Sequence, residues 1–274
     1  MPELPEVEVC RRGVQPGVEG QVLLGAVARA PRLRLPVPED MDRILAGQRV
    51  DAVRRRGKYL LFDCRGGPSD GTLIIHLGMT GSLRFVPPGT PAGRHDHVDL
   101  LFASQVLRFS DPRRFGVVLW QASGAPPHPL LAVLGIEPFD DGFTGEWLHA
   151  ALRRRAAPVK PVLMDSHLVV GIGNIYASES LFRARISPLR AANRISAGRC
   201  ERLAGAVRET LSDAIAAGGS SIRDYVHSDG GAGCFQVDCA VYDRAGQPCR
   251  RCGGLVRQVR QAGRSTYWCP GCQH

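Results

Sequence analysis

Two residues at the start of the chain, Pro2 and Glu3, have types and spacing that could do chemistry. Initiator methionine is usually removed when a small residue follows, which would leave Pro2 as a free secondary amine beside a carboxylate. An α-amino group titrates near 7.7–8.0, against about 10.4 for lysine, so a useful fraction is neutral and nucleophilic at pH 7. Its attack on a sugar or carbonyl carbon gives an iminium cation, which acts as an electron sink for elimination. On position alone, Pro2 would read as a common second residue. The rest of the chain reverses that reading.

Of the 35 basic residues only Lys58 and Lys160 are lysine, so the other 33 are arginine. Where surface lysines have drifted to arginine, a surviving lysine marks a place where a compact amine is needed. Both lysines are therefore site candidates. Cys249, Cys252, Cys269 and Cys272 form C-x2-C-x16-C-x2-C, a zinc-site spacing. Four thiolates make a closed tetrahedral site, which is structural rather than catalytic, for one Zn2+. From Arg244 to the end there are six arginines and no acid, so the finger is positively charged. Cys10, Cys64, Cys200, Cys234 and Cys239 have no ligand spacing and read as core or incidental thiols.

The chain has 274 residues and a net charge of +9, long for one domain and comfortable for two. Basic excess of this size favours a polyanion as partner. No apolar run reaches spanning length, and the first twenty residues carry four Glu and no apolar stretch, so neither a membrane span nor a signal peptide is expected. A reducing cytosol is the expected compartment, with the cysteines as metal ligands or free thiols.

These groups need a scaffold. Pro5 suits the first turn of a short helix running to about Gly13 or slightly beyond. Short apolar or alternating runs at 21–27, 59–63, 72–75, 82–86, 98–102, 106–109 and 115–120 predict a β-sandwich or barrel with that helix docked on it. Residues 121–146 are rich in Pro, Gly and Asp and supply a linker. The second half turns helical at 147–155, 160–163, 179–184 and 197–217, the last amphipathic and stopped by Gly218-Gly219. Val256, Val259, Thr266 and Tyr267 fit a short hairpin between the cysteine pairs, and Gly218–Cys234 reads as a mobile loop.

Five segments together resemble the bacterial formamidopyrimidine-DNA glycosylase family, in the same order and at similar spacing. They are Pro2–Glu8, His76-Leu77-Gly78-Met79-Thr80-Gly81, Asp111-Pro112-Arg113-Arg114-Phe115-Gly116, Gly171-Ile172-Gly173-Asn174-Ile175-Tyr176 and the cysteine finger. The resemblance covers essentially the whole chain. It implies an α+β fold: an N-terminal β-sandwich with a docked helix (1–135), a linker (136–146), a helix-two-turn-helix DNA-binding domain with a lesion loop (147–234) and a zinc finger (235–274). It also implies a monomeric, cytoplasmic, nucleoid-associated enzyme that excises oxidised purines from double-stranded DNA and then cleaves the abasic strand.

By the same resemblance Pro2 is the nucleophile, Glu3 the proton donor to the opening sugar, and Lys58 lies near the reacting phosphate and sugar. Glu6 supports the site or simply favours the helix dipole. Arg264 contacts phosphates around the lesion and assists the later elimination. Met79, Arg113 and Phe115 fill the emptied stack, two as wedges and Arg113 on the orphaned cytosine. Ordinary strand core is the other reading of Met79 and Phe115, although each lies in a Gly-flanked turn. Asn174 meets the lesion's phosphate, and His95, Lys160 and Arg155 match further DNA contacts, Arg155 where relatives can carry lysine. Two alternatives stand beside this reading. One is an endonuclease VIII-like enzyme for oxidised pyrimidines, against which the Met79, Arg113 and Phe115 set argues. The other is a non-catalytic zinc-finger DNA-binding protein, which leaves Pro2-Glu3 and Lys58 unexplained.

Overall fold

The computed structural model describes residues 1–219 and 239–274. They divide into two compact units, Met1–Ala132 with residues 218–219, and Val133–Ala217 with residues 239–274. Apart from its first two glycines, the segment Gly218–Cys234 expected as a mobile loop lies outside the described residues.

The first unit holds α1 (Leu4–Val18), β1 (Gly25–Ala28), α2 (Met41–Leu45), β2 (Arg49–Arg56), β3 (Tyr59–Arg65), β4 (Gly71–His76), β5 (Ser82–Val86), β6 (Asp96–Leu101), β7 (Val106–Ser110), β8 (Val117–Ala122) and α3 (Pro129–Ala132). The strands form two antiparallel four-stranded sheets, ordered β1-β6-β7-β5 and β2-β3-β4-β8. Leu60, Phe62 and Leu73 of one sheet share a buried cluster with Leu100, Leu107 and Phe109 of the other, and with Val7, Val14 and Val18 of α1. Two open sheets facing one core decide between the expected alternatives: a sandwich, not a closed barrel. Helix α1 runs past Gly13 and through Pro16 to Val18. Val14 and Val18 are fully buried, and that packing outweighs the local breakers.

Strand β2 was not expected. Its Arg54-Arg55-Arg56 end hides the inward pair Val50 and Val53. It pairs with β3 through a two-residue turn, Gly57-Lys58, with Arg56 opposite Tyr59. Gly57 has φ +56°, the requirement for the first position of a II′ hairpin, so the fold puts Lys58 at a hairpin tip.

The second unit holds α4 (Gly145–Leu152), α5 (Val159–Leu163), α6 (Asn174–Arg183), a 3-10 turn at Ala192–Arg194, α7 (Ala197–Ala216), β9 (Arg257–Gln261) and β10 (Arg264–Trp268). Residues 136–146, expected as linker, belong to this unit. Ile136 N–H donates to the Leu168 carbonyl, and the Ile136 carbonyl accepts from Val170. Helix α7 buries Leu203, Val207 and Leu211 on one face and ends at Gly218 and Gly219, with φ of +83° and +84°. The expected hairpin is β9–β10, closed by Ala262 and Gly263, both at positive φ, as a I′ turn demands.

Candidate active site and nucleic-acid surfaces

Pro2 is buried immediately before α1, and Glu3, 3% exposed, is the N-cap. The Glu6 carboxylate accepts from the Glu3 backbone N–H at 2.7 Å, one half of a capping box with Glu3 at N-cap and Glu6 at N3. Glu6 is thus a helix-terminal carboxylate that also fixes the backbone carrying Pro2 and Glu3. One turn on, Glu8 accepts from Arg11 and Arg12 at 2.9 Å and from Arg55 at 3.2 Å. Burial pushes the Glu8 carboxyl up, but hydrogen bonds from Arg11 and Arg12 and the charge of Arg55 hold it below the usual carboxylate range. Arg55 also donates to the Gly57 carbonyl at 3.0 Å. Glu8 and Arg55 therefore tie the helix bearing Pro2 and Glu3 to the tip bearing half-buried Lys58. Sequence reading missed both, because an acid and a base 47 positions apart leave no local pattern.

The same unit holds the expected wedge. Asp111, fully buried, joins two turns: its carboxylate accepts from the Thr80 hydroxyl at 2.6 Å, from Arg113 N–H at 3.2 Å and from Gly116 N–H at 2.7 Å. Gly78, φ +66°, lies so close that an added Cβ would sit 2.5 Å from the Phe115 carbonyl carbon. Met79 and the Arg113–Phe115 turn are thus built against each other. Phe115 is 44% exposed, which rules out core packing, and the Arg113 guanidinium lies 4.8 Å from its ring centroid. Arg114 takes φ +55°, so the backbone reverses there at some strain. His95 is exposed, and its carbonyl accepts from Asp111 N–H at 2.9 Å. His76 accepts from Gly78 N–H at 2.9 Å and packs on Tyr59 at 4.7 Å between ring centroids. Burial, then the charges of Lys58 and Arg34, push its pKa down to about 4, so the ring stays neutral and able to accept.

In the second unit the four cysteines converge, with all sulfurs within 4.8 Å of one another, 3.9 Å from Cys249 to Cys272 and 3.4 Å from Cys252 to Cys269. Tetrahedral Zn–S bonds of about 2.3 Å place sulfurs about 3.8 Å apart, so the set fits one zinc. Burial and three neighbouring thiols push Cys272 up to about 12. Cys249 goes the other way: against the upward push of burial, backbone N–H groups of Arg251 and Cys252 and neighbouring thiols pull it down to about 7, so a divalent cation is needed to make all four thiolates. Asn174 opens α6 after Gly173, with Gly171 at φ +82°. Lys160 is 1% exposed and donates to the Asn174 side-chain oxygen, the Ser265 carbonyl and the Thr266 hydroxyl at 2.6–2.9 Å. Arg155 pairs with Asp165 at 3.1 Å, and Arg264 is exposed at the start of β10. The expected residues thus fall into two sets. Pro2, Glu3, Lys58, Met79, His95, Arg113 and Phe115 are in the first unit, and Arg155, Lys160, Asn174, Arg264 and the cysteines in the second.

Sandwich, arginine-rich helical unit and four-cysteine hairpin suit a DNA-binding protein with one structural zinc. Residues 1–118 match the formamidopyrimidine-DNA glycosylase N-terminal domain, residues 134–226 its H2TH domain, and residues 246–274 a zinc finger found in FPG and IleRS. The chain is 69% identical, over the full length of both, to the formamidopyrimidine-DNA glycosylase of Dechloromonas aromatica, and 55% identical to that of Cupriavidus pinatubonensis, again over both full lengths. It superposes on the Thermus thermophilus protein with a TM-score of 0.87, at 42% identity and 99% and 98% coverage of the two chains. A Lactococcus lactis relative in complex with Fapy-dG-containing DNA gives 0.91, at 36% identity and full coverage of both. The chain belongs to the formamidopyrimidine-DNA glycosylase family.

Proposed function

We propose that this chain excises 8-oxoguanine and formamidopyrimidines from duplex DNA and cleaves the resulting abasic strand by β,δ-elimination. The damaged nucleotide leaves the stack so that its anomeric carbon is reachable. Removal of Met1, 40% exposed, frees the Pro2 amine. That nitrogen attacks the anomeric carbon, the bond to the base breaks with its electron pair going to the base, and the proton shed by the amine neutralises the departing base. Glu3 protonates the ring oxygen as the sugar opens, leaving the iminium. Loss of a proton from the next sugar carbon expels the 3′ phosphate, and a second elimination expels the 5′ phosphate. Lys58 serves the sugar and phosphate, and Arg264 the phosphates and the later elimination. Met79, Arg113 and Phe115 occupy the vacated stack. Asn174, His95 and Arg155 are assigned to the DNA strand and Lys160 to its support. The four cysteines hold one zinc that shapes the basic hairpin.

The observation that carries this reading is the Asp111-joined pair of turns, which presents an exposed Phe115 under the Arg113 guanidinium. An aromatic wedge beside a bidentate donor suits a purine lesion paired with cytosine. Among the described residues no helix is long and apolar enough to cross a membrane. A cytoplasmic monomer acting at the nucleoid is the setting we propose. The test is excision from duplexes carrying 8-oxoguanine or thymine glycol. Preference for 8-oxoguanine is expected. Preference for thymine glycol would favour the endonuclease VIII-like alternative, and absence of strand cleavage on both would favour a binding protein.

A further inference from the structure

We propose that Lys160 is a positioning residue that sets which face of the Asn174 amide is offered to DNA, from a node it shares with the zinc hairpin. The inference rests on the reading of Asn174 as a phosphate contact. An ammonium taken out of water is tolerated only where its donors are met. Lys160 is 1% exposed, and its acceptors include Asn174 Oδ1 at 2.6 Å, Thr266 Oγ1 at 2.8 Å and the Ser265 carbonyl at 2.9 Å. A lysine offers three N–H donors and no acceptor. Its hydrogen-bonding capacity is therefore met inside the protein, so it influences DNA through its partners rather than by touching a phosphate.

The consequence for Asn174 is geometric. A donor-only neighbour must be met by the amide oxygen, so the amide NH2 is turned away from Lys160. Asn174 is the first residue of α6, so the amide NH2 turned away from Lys160 lies at a helix start, where the dipole favours an anion. Without the ammonium, the amide could flip at little cost and present its oxygen to a phosphate instead. The other two acceptors, on Ser265 and Thr266, directly follow Arg264 in β10, so the same amine steadies the strand that carries that arginine. Three acceptors around one point suit a compact ammonium and not a planar guanidinium. This accounts for a lysine at 160 in a chain whose basic residues are otherwise arginine except at Lys58.

The test is a double-mutant cycle on zinc-loaded, full-length protein. It measures affinity for a duplex with a tetrahydrofuran abasic analogue, well below every variant's melting temperature. Lys160→Met and Asn174→Ala are each expected to weaken binding about ten-fold, and the double variant by about the same ten-fold. A merely structural lysine would lower the melting temperature and leave the folded protein's coupling to Asn174 at zero. Losses that multiply, to about a hundred-fold, would overturn the proposal. Asn174→Asp decides the matter if Lys160→Met does not fold. Its carboxylate stays against the ammonium, so the melting temperature should match or exceed the native value while affinity falls below that of Asn174→Ala. A melting temperature as low as that of Asn174→Ala would overturn the inference. If the native chain shows no preference for the lesion duplex over undamaged duplex, the functional reading fails and the inference falls with it. Multiplying losses in a lesion-binding native chain sink the inference alone.

Discussion

The sandwich unit and the cysteine hairpin hold their functional residues by different means. In the first, one cluster drawn from both sheets and α1 supports the turns, and buried carboxylates finish the positioning: Glu6 on Glu3, Glu8 on Arg55, and Asp111 on Thr80, Arg113 and Gly116. In the second, the cluster around the hairpin is Val241, Val256, Tyr267 and three of the cysteines, with Phe182 and Tyr242 against it. That is too little apolar surface to specify a fold without a staple. On the proposed roles, base excision rests on a metal-independent scaffold, whereas the phosphate contacts of the second unit, and Arg264's part in the later elimination, rest on zinc and on Lys160. The two functions should fail separately.

The largest separation is expected from Glu3→Gln. The variant keeps the helix start and the hairpin, so DNA binding should survive while base excision falls by about 10²- to 10⁴-fold, the range for losing a general acid. Unchanged single-turnover excision would remove Glu3 from that role. Cys252→Ser should do the reverse. Zinc content should drop from about one per chain to none, and affinity for DNA should fall about ten- to hundred-fold as basic contacts lose their geometry. Full affinity in a zinc-free variant would erase the contrast between the units.

A finer separation lies within the first unit. Arg113→Ala leaves Pro2 and Glu3 in place but removes the fork over Phe115. Preference for 8-oxoguanine opposite cytosine over adenine should fall by roughly five- to hundred-fold, the worth of one bidentate contact. An unchanged ratio, measured on both pairs, would move the reading to another residue, most directly Arg114.

The smallest effect is on stability against pH. His76 is neutral in the folded protein down to about 4, whereas in the unfolded chain it titrates near 6.5. Between these values the unfolded state binds more protons, so stability falls as pH drops through that window. Against the upward push of burial, Glu8 and Asp99 are held low by their arginine partners, and Asp96 by the Ser110 hydroxyl and the Gly93 N–H and then by Arg84 and Arg108; all three lose their contribution only at lower pH still. Replacing His76 by Gln should flatten the melting curve between pH 6.5 and 4 by a few degrees and leave the lower window unchanged. An unaltered slope there would mean that another group carries it.

Much of this was legible in the sequence because it is local. The cysteine spacing, the strand runs, the amphipathic α7 and the short hairpin between the cysteine pairs are each set by residues a few positions apart. Lys58 stood out as a lysine among arginines, and the Gly57 turn explains its place at a tip. What stayed hidden depends on distant partners. Lys160 read as a DNA contact because its acceptors on Ser265 and Thr266 lie more than a hundred positions away. Glu8 stood only as the end of the opening motif because its partner Arg55 comes from β2, 47 positions on. Strand β2 escaped notice because three consecutive arginines mask an alternation carried by only Val50 and Val53. Asp111 sat inside a recognised motif, yet its role as the joint between two turns shows only when Thr80 is beside it.

The central claim is that the amine at position 2 is the nucleophile. Borohydride reduction during reaction with 8-oxoguanine duplex freezes an iminium as a stable protein–DNA adduct, and peptide mapping then locates it. The account predicts one adduct, on an N-terminal peptide that begins at Pro2, greatly diminished in Pro2→Gly. An adduct mapped to Lys58, or trapping undiminished in Pro2→Gly, would contradict it.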